Sequence, residues 1–264
     1  MQTIAIFGTG LIGASFGLAV RAAGYRGRII GVSSPGAIRD ALACGAIDAA
    51  ACAEDAAAEC DLAYLAQPIR RIISTLEAVG PRFRPGCIVT DAGSTKAEIC
   101  AAARTHVAHA RFIGGHPLAG KETRGALEAD AALFRNRTYV LTGEPPAELL
   151  HWIKAIGAVP VVMTAEEHDR VIAFTSHLPQ LISTALACAV SGEDLRISGP
   201  GLADMLRLAG SSWEIWEDIL RTNTAPVAAA LDSYIARLQR VRSALPDLKA
   251  EFEQANAVPR RRRG

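Results

Sequence analysis

The chain has 264 residues, half of them hydrophobic and 21% charged, with a formal net charge of +1. That length and apolar content can bury one large core or two modest ones and exclude a disordered chain. Charges of both signs spread along the sequence exclude a nucleic-acid footprint, and the one basic run, Arg260 to Arg263 behind Pro259, reads as a solvated tail.

Met1-Gln2-Thr3 leads at once into the apolar run Ile4-Ala5-Ile6-Phe7, without the basic region and long apolar core of a secretory leader, so a cytoplasmic protein is expected. That run predicts a strand. It ends in Gly8-Thr9-Gly10-Leu11-Ile12-Gly13, which opens an Ala-rich helical segment from Ala14 to Ala23 stopped by Gly24. Strand, Gly-x-Gly-x-x-Gly and helix in this order predict dinucleotide binding. Gly8 permits the tight turn, Gly10 lets backbone approach a pyrophosphate, and Gly13 lets the helix pack on the strand. The N–H groups of the helix start, at Leu11 and Ile12, face the phosphates. The second strand, Arg28-Ile29-Ile30-Gly31-Val32, ends at Ser33-Ser34-Pro35, where an NAD-specific site normally carries Asp or Glu. Two hydroxyls in place of a carboxylate allow NADP as well as NAD. Ser34 also suits the cap of a helix starting at Pro35.

Alternation continues with a helix to Cys44, a short strand near Ala46-Ile47-Asp48, a buried strand from Asp61 to Ala66, a helix after Gln67-Pro68, and the strand Cys87-Ile88-Val89-Thr90-Asp91. Strands alternating with helices predict a parallel, doubly wound sheet with ligands beyond its strand carboxyl ends. That rule gathers Gly8 to Gly13, Ser33, Gln67-Pro68, Asp91 to Lys96 and Gly115-His116 on one rim. Ser94 either caps the following helix, as Thr95 could, or points its hydroxyl at a substrate. His116, expected at the end of the strand Arg111-Phe112-Ile113, is a candidate general base in a Gly-rich turn. A hydroxyl and an imidazole near the nicotinamide are what hydride transfer from an alcohol needs.

After a strand at Thr138 to Thr142, a helix from Ala147 to Ile156 and a strand at Pro160 to Met163, strand signals stop. Thr164-Ala165-Glu166-Glu167 is a capping box that starts a long apolar helix reaching about Val190, so the domains are read as 1–164 and 165–264. The polar residues of that helix, among them Thr175, Ser176, His177 and Gln180, favour a buried helix over a membrane span, and Pro179 should kink it or free a carbonyl there. Arg207, between Leu206 and Leu208, either pairs with Asp204 or awaits a carboxylate. A last long helix runs from Thr224 to about Leu245, and the apolar helices suggest a dimer. The six cysteines show no metal-ligand spacing and read as small reduced core residues, so no metal is expected.

Taken together and in order, Gly8 to Ser15, Asp91 to Lys96, Gly115 to Gly120, His168-Asp169, Ser176-His177-Leu178-Pro179, and Asp204 to Ser211 with Trp216 and Asn223 resemble the prephenate/arogenate dehydrogenase family of tyrosine biosynthesis, over nearly the whole chain. The resemblance implies an α/β Rossmann-type domain followed by an all-helical dimerisation domain, a homodimer, and an active site in the cleft between domains. His116 would take the proton of the substrate ring hydroxyl, assisted by Ser94, while hydride passes to NAD or NADP and the ring carboxylate leaves as carbon dioxide. Arg207 matches the arginine that holds a substrate carboxylate, His177 the second-domain histidine, and Glu122 an acidic residue near the substrate side chain. Ala203 stands where many members have Arg or Lys, and Lys121 where a small hydroxyl residue is usual; Lys121 is expected to supply the missing positive charge. Two other readings are a small 3-hydroxyacid dehydrogenase of similar build, disfavoured because Lys249 is the only lysine of the second domain, and a dinucleotide-binding sensor without chemistry.

Overall fold

Every residue from Ile4 to Phe7 is fully buried, as expected for the central strand of a parallel sheet covered on both faces. In the computed structural model, which describes residues 1–258, this run lies in β1 (Thr3–Phe7). It is joined by β2 (Arg28–Val32), β3 (Ala49–Ala50), β4 (Leu62–Leu65), β5 (Ile88–Asp91) and β6 (Arg111–Ile113). All neighbours pair in parallel, in the order β3-β2-β1-β4-β5-β6, which is the doubly wound Rossmann arrangement. The linking helices are α1 (Leu11–Ala22), α2 (Pro35–Ala43), α3 (Ala53–Glu59), α4 (Ile69–Val79) and α5 (Ala97–His106). Alternate residues of β1 feed two separate cores, Ile4 and Ile6 with Phe16 and Tyr64 on one side, Ala5 and Phe7 with Ile30 and Ile72 on the other. Phe16 stacks on Tyr64 with ring centroids 3.9 Å apart.

The third strand is shorter and later than Ala46 to Asp48. Asp48 takes the Ile29 N–H on its side-chain carboxylate at 2.7 Å and donates its own N–H to the Ile29 carbonyl at 2.7 Å, and the strand register with β2 runs over Ala49 and Ala50.

After β6 the chain leaves the main sheet and builds a second one. Its strands are β7 (Gly115–Pro117), β8 (Thr138–Thr142) and β9 (Val159–Met163), with α6 (Ala147–Ala155) between the last two. β7 pairs antiparallel and β9 parallel to β8. His116 is therefore the middle residue of a strand, not part of a turn at the end of the sixth strand. Thr142 explains the switch: its Oγ1 accepts the Gly114 N–H at 2.9 Å, and its N–H donates to the Gly114 carbonyl at 2.8 Å.

From Ala165 onward the chain is helical, with α7 (Ala165–Ile172), a π-helical turn at Ala173–His177, α8 (Leu178–Ala189), α9 (Pro200–Leu206), α10 (Trp213–Thr222), α11 (Thr224–Ser243) and α12 (Lys249–Asn256). The last of these lies beyond the helices anticipated from sequence. The Glu167 N–H donates to Thr164 Oγ1 at 3.0 Å, one half of a capping box. Pro179, which has no N–H to continue the ladder, is preceded by the wide turn rather than a simple kink. Only about a third of the apolar stretch in Ala165–Ala189 is buried within one chain, so the burial expected for it is met in part. Residues Met1–Ile172 and Gly210–Asn223 form one compact unit, and Ala173–Ala209 with the described residues from Thr224 on form a second.

Of the cysteines, Cys60, Cys87 and Cys100 are core residues and Cys44 is half-buried, but Cys52 and Cys188 are exposed. Cys52 instead caps α3, its sulfur accepting the Asp55 N–H at 3.4 Å. The run Arg260 to Arg263 lies outside the described residues.

One buried hydroxyl in the main sheet has no partner: Thr90 Oγ1, on β5. An unmatched hydroxyl carries the full cost of lost hydration, so Thr90→Val, which keeps the shape, should stabilise the protein by about 1 kcal/mol. A shift of the urea midpoint to higher concentration at unchanged slope would show it.

Candidate active site

The glycine loop has the geometry its sequence promised. Gly8 sits at φ +91°, and a Cβ on Gly13 would stand 2.0 Å from the Gly8 carbonyl, so both the turn and the packing of α1 exclude side chains. Around Gly10 there is open space for 4 Å. No side chain caps α1 and no acid lies in its first turn, so the amides at Leu11, Ile12 and Gly13 are left for an anion. These residues fit a dinucleotide pyrophosphate. A cavity of about 360 Å³ opens beside them, lined by Ile12, Gln67, Pro68 and Ser94 from the strand ends and by Arg124, Glu214 and Asp218.

Ser94 is not a helix cap. The amides at the start of α5 are taken by a carboxylate from α7: Asp169 Oδ1 accepts the Lys96 N–H at 2.7 Å and Oδ2 accepts the Ala97 N–H at 2.8 Å. Ser94 is thereby left to face the cavity. Ser34 occupies the N-cap position of α2 but makes no capping bond, and both Ser33 and Ser34 are exposed at the end of β2.

His116 is 8% exposed and is held on two sides. On the backbone side, Asp91 Oδ1 accepts the Gly115 N–H at 3.0 Å, Lys96 Nζ donates to the Gly115 carbonyl at 2.7 Å, and Lys96 is ion-paired with Asp91 Oδ2. Both charges of that pair are fully buried. On the side-chain side, His116 Nδ1 lies 2.8 Å from His168 Nε2, and His168 Nδ1 lies 2.7 Å from Asp169 Oδ1. His116 does not line the cavity that Ser94 faces.

The other sequence candidates divide between the units. Lys121 and Glu122 are exposed on the loop after β7, and Lys121 Nζ contacts Asp130 at 3.4 Å and the Glu128 carbonyl at 3.1 Å. In the second unit, His177 ends the π-helical turn and is 1% exposed. Arg207, in the turn after α9, is exposed and has no ion pair among the described residues, so the pairing with Asp204 is not made. Sequence reasoning passed over Asp91 and Lys96 as a pair, and Arg124, Glu214 and Asp218 as cavity walls. An Asp and a Lys five residues apart at a strand end was the readable signal for the first; nothing local marked the second.

A doubly wound sheet whose first helix starts uncapped behind a glycine loop, with a buried histidine at the edge of the same unit, defines a dinucleotide-dependent oxidoreductase. Comparison with known proteins sharpens this. Residues 16–159 match the family described as "Prephenate dehydrogenase, nucleotide-binding domain", and residues 164–254 match "Prephenate dehydrogenase, dimerization domain". The prephenate dehydrogenase of Lactococcus lactis is 31% identical over 252 residues, 91% of this chain and 70% of that one. A crystal structure of the Aquifex aeolicus prephenate dehydrogenase with hydroxyphenyl propionate and NAD+ superimposes with a TM-score of 0.86 at 28% identity, covering 97% of this chain and 96% of that one. The arogenate dehydrogenase of Synechocystis gives 0.83 at 30% identity, covering 96% and 97%. The chain belongs to the prephenate dehydrogenase family.

The buried pair beside His116 can be tested by removing one partner. Lys96→Met leaves Asp91 as an uncompensated buried charge and should cost about 3–5 kcal/mol. Adding Asp91→Asn to that variant should restore most of the loss, because a buried amide needs no counter-charge; urea unfolding of both variants would decide.

Proposed function

We propose that this protein is an NAD(P)-dependent dehydrogenase that oxidatively decarboxylates prephenate to 4-hydroxyphenylpyruvate, arogenate to tyrosine, or both, as a cytoplasmic homodimer. The observation that carries the reading is a buried, doubly anchored histidine in a chain that matches both domains of the prephenate dehydrogenase family. That match favours this chemistry over a small 3-hydroxyacid dehydrogenase. The reading assigns residues 1–164 to the dinucleotide and 165–264 to substrate binding and dimerisation.

Gly8, Gly10, Leu11, Ile12 and Gly13 would hold the pyrophosphate, and Gln67 and Pro68 the cavity wall beside it. The nicotinamide, when bound, supplies the hydride acceptor. His116 takes the proton of the ring hydroxyl and Ser94 hydrogen-bonds the same oxygen, so electron density collapses from the O–H bond into a carbonyl as hydride departs. Carbon–carbon cleavage then releases the ring carboxylate as carbon dioxide and leaves an aromatic ring. Arg207 holds a substrate carboxylate and His177 lines the substrate pocket, with Lys121 and Glu122 at the side-chain end. Because Ser33 and Ser34 put no carboxylate at the end of β2, a 2'-phosphate meets no repulsion, and NADP serves beside NAD. Dimerisation is supported by large apolar side chains left exposed in the second unit, among them Ile197, Met205 and Phe252.

The purified protein should reduce at least one nicotinamide cofactor with prephenate or arogenate. Measuring each substrate against NAD and NADP settles both choices, and silence in all four mixtures with cofactor binding intact would overturn the reading. His116→Asn should lower kcat by about 10²–10⁴-fold while cofactor Kd stays as in the wild type; a variant that turns over normally would remove His116 from the chemistry.

A further inference from the structure

The hydrogen bonds that hold the His116 side chain carry a direction, because each group in the chain can act in only one sense. It begins at Asp169, 2% exposed. Its carboxylate accepts two backbone N–H bonds from the start of α5, at Lys96 and Ala97, and a helix N-terminus favours a negative charge there. The Asp169 backbone is fixed as well, since Asn223 Nδ2 donates to its carbonyl at 2.9 Å. A charged carboxylate only accepts, so His168 Nδ1, 2.7 Å from Oδ1, is the N–H. His168 is 2% exposed, and it shares Asp169 Oδ1 with the Lys96 backbone N–H. A neutral His168 with its proton on Nδ1 has a lone pair on Nε2. That nitrogen lies 2.8 Å from His116 Nδ1, which must then be the donor.

We propose that His168 and Asp169 are positioning residues that lock His116 in the tautomer protonated at Nδ1, so that Nε2 is the nitrogen that receives the substrate proton. The proposal rests on the reading of His116 as the proton acceptor. When Nε2 takes the proton, His116 becomes an imidazolium whose Nδ1–H already points at the His168 lone pair, and the Asp169 carboxylate lies one imidazole further on. No group has to reorient as the charge appears, which is how preorganised polar groups stabilise a developing charge. The start of α5 is the far end of the same relay, so a helix of the dinucleotide-binding sheet and a helix from beyond the last strand jointly set one tautomer.

The test reads the tautomer without requiring turnover. The chain has six histidines, so the imidazole nitrogen spectrum of the full-length protein labelled with 15N-histidine is sparse, and His116→Asn identifies the signals of His116. At a pH where the ring is neutral, His116 Nδ1 should resonate as a protonated nitrogen and Nε2 as an unprotonated one; the reverse pattern overturns the proposal. Two variants then separate positioning from mere packing. His168→Leu removes the acceptor and should lower kcat about 100-fold with cofactor Kd unchanged and His116 spread over both tautomers. His168→Gln keeps a side-chain oxygen toward His116 and should recover at least tenfold of that loss. Wild-type kcat in His168→Leu would also overturn the proposal, and if that variant fails to fold, the wild-type spectrum still decides. Unimpaired turnover in His116→Asn would sink the proton-acceptor reading while leaving the tautomer assignment to the spectrum.

Discussion

A lysine ammonium with no solvent contact is the constraint on which the neighbourhood of His116 depends. Lys96 Nζ is satisfied by the Asp91 carboxylate and the Gly115 carbonyl, and the same Asp91 accepts the N–H groups of Gly93 and Gly115. Two buried charges of this kind stabilise little by themselves, because desolvation offsets most of their attraction. What they confer is position: the end of β5, the start of α5 and the start of β7 can meet in only one arrangement without stranding a charge. That arrangement begins the second sheet at the residue before the histidine.

The helix starts along the sheet rim show how the same backbone feature is put to different uses. The N–H groups at the start of α5 are filled by Asp169, and the Arg70 N–H at the start of α4 donates to Asp218 at 3.1 Å. α1 and α2 receive no side-chain cap. Carboxylates from two helices far along the chain thus close two of these starts, and the ones left open are those beside the glycine loop and the Ser33-Ser34 corner. The preference of a dinucleotide for one end of the sheet follows from what the later helices occupy as much as from the loop itself.

Much of this was legible in the residues. The apolar run before Gly8, the spacing of the three glycines and the alternation of strands and helices are local signals, and they predict a parallel, doubly wound sheet. The Thr164 capping box was equally local. The second sheet was not legible, since its strand at Gly115–Pro117 has three residues and is made a strand by Thr142, nearly thirty residues away. The short third strand was not legible in place either; beside it the Asp48 carboxylate accepts the Ile29 N–H. His116 could be picked out as a histidine among glycines, but its partners at 168 and 169 are more than fifty positions distant, and no periodicity links them. Ser94 was recognisable as a hydroxyl at a strand end. Its release from capping duty was a tertiary fact, decided by Asp169.

The division of the chain into two units has a topological consequence. The polypeptide passes between them three times, after Ile172, after Ala209 and after Asn223, so the boundary is a set of places and not a point. α7 and α10 lie in the first unit, and with them the carboxylates of Asp169 and Asp218 that close α5 and α4. The first unit is therefore completed by segments that follow its last strand in the sequence, the later of them separated from that strand by a stretch of the second unit.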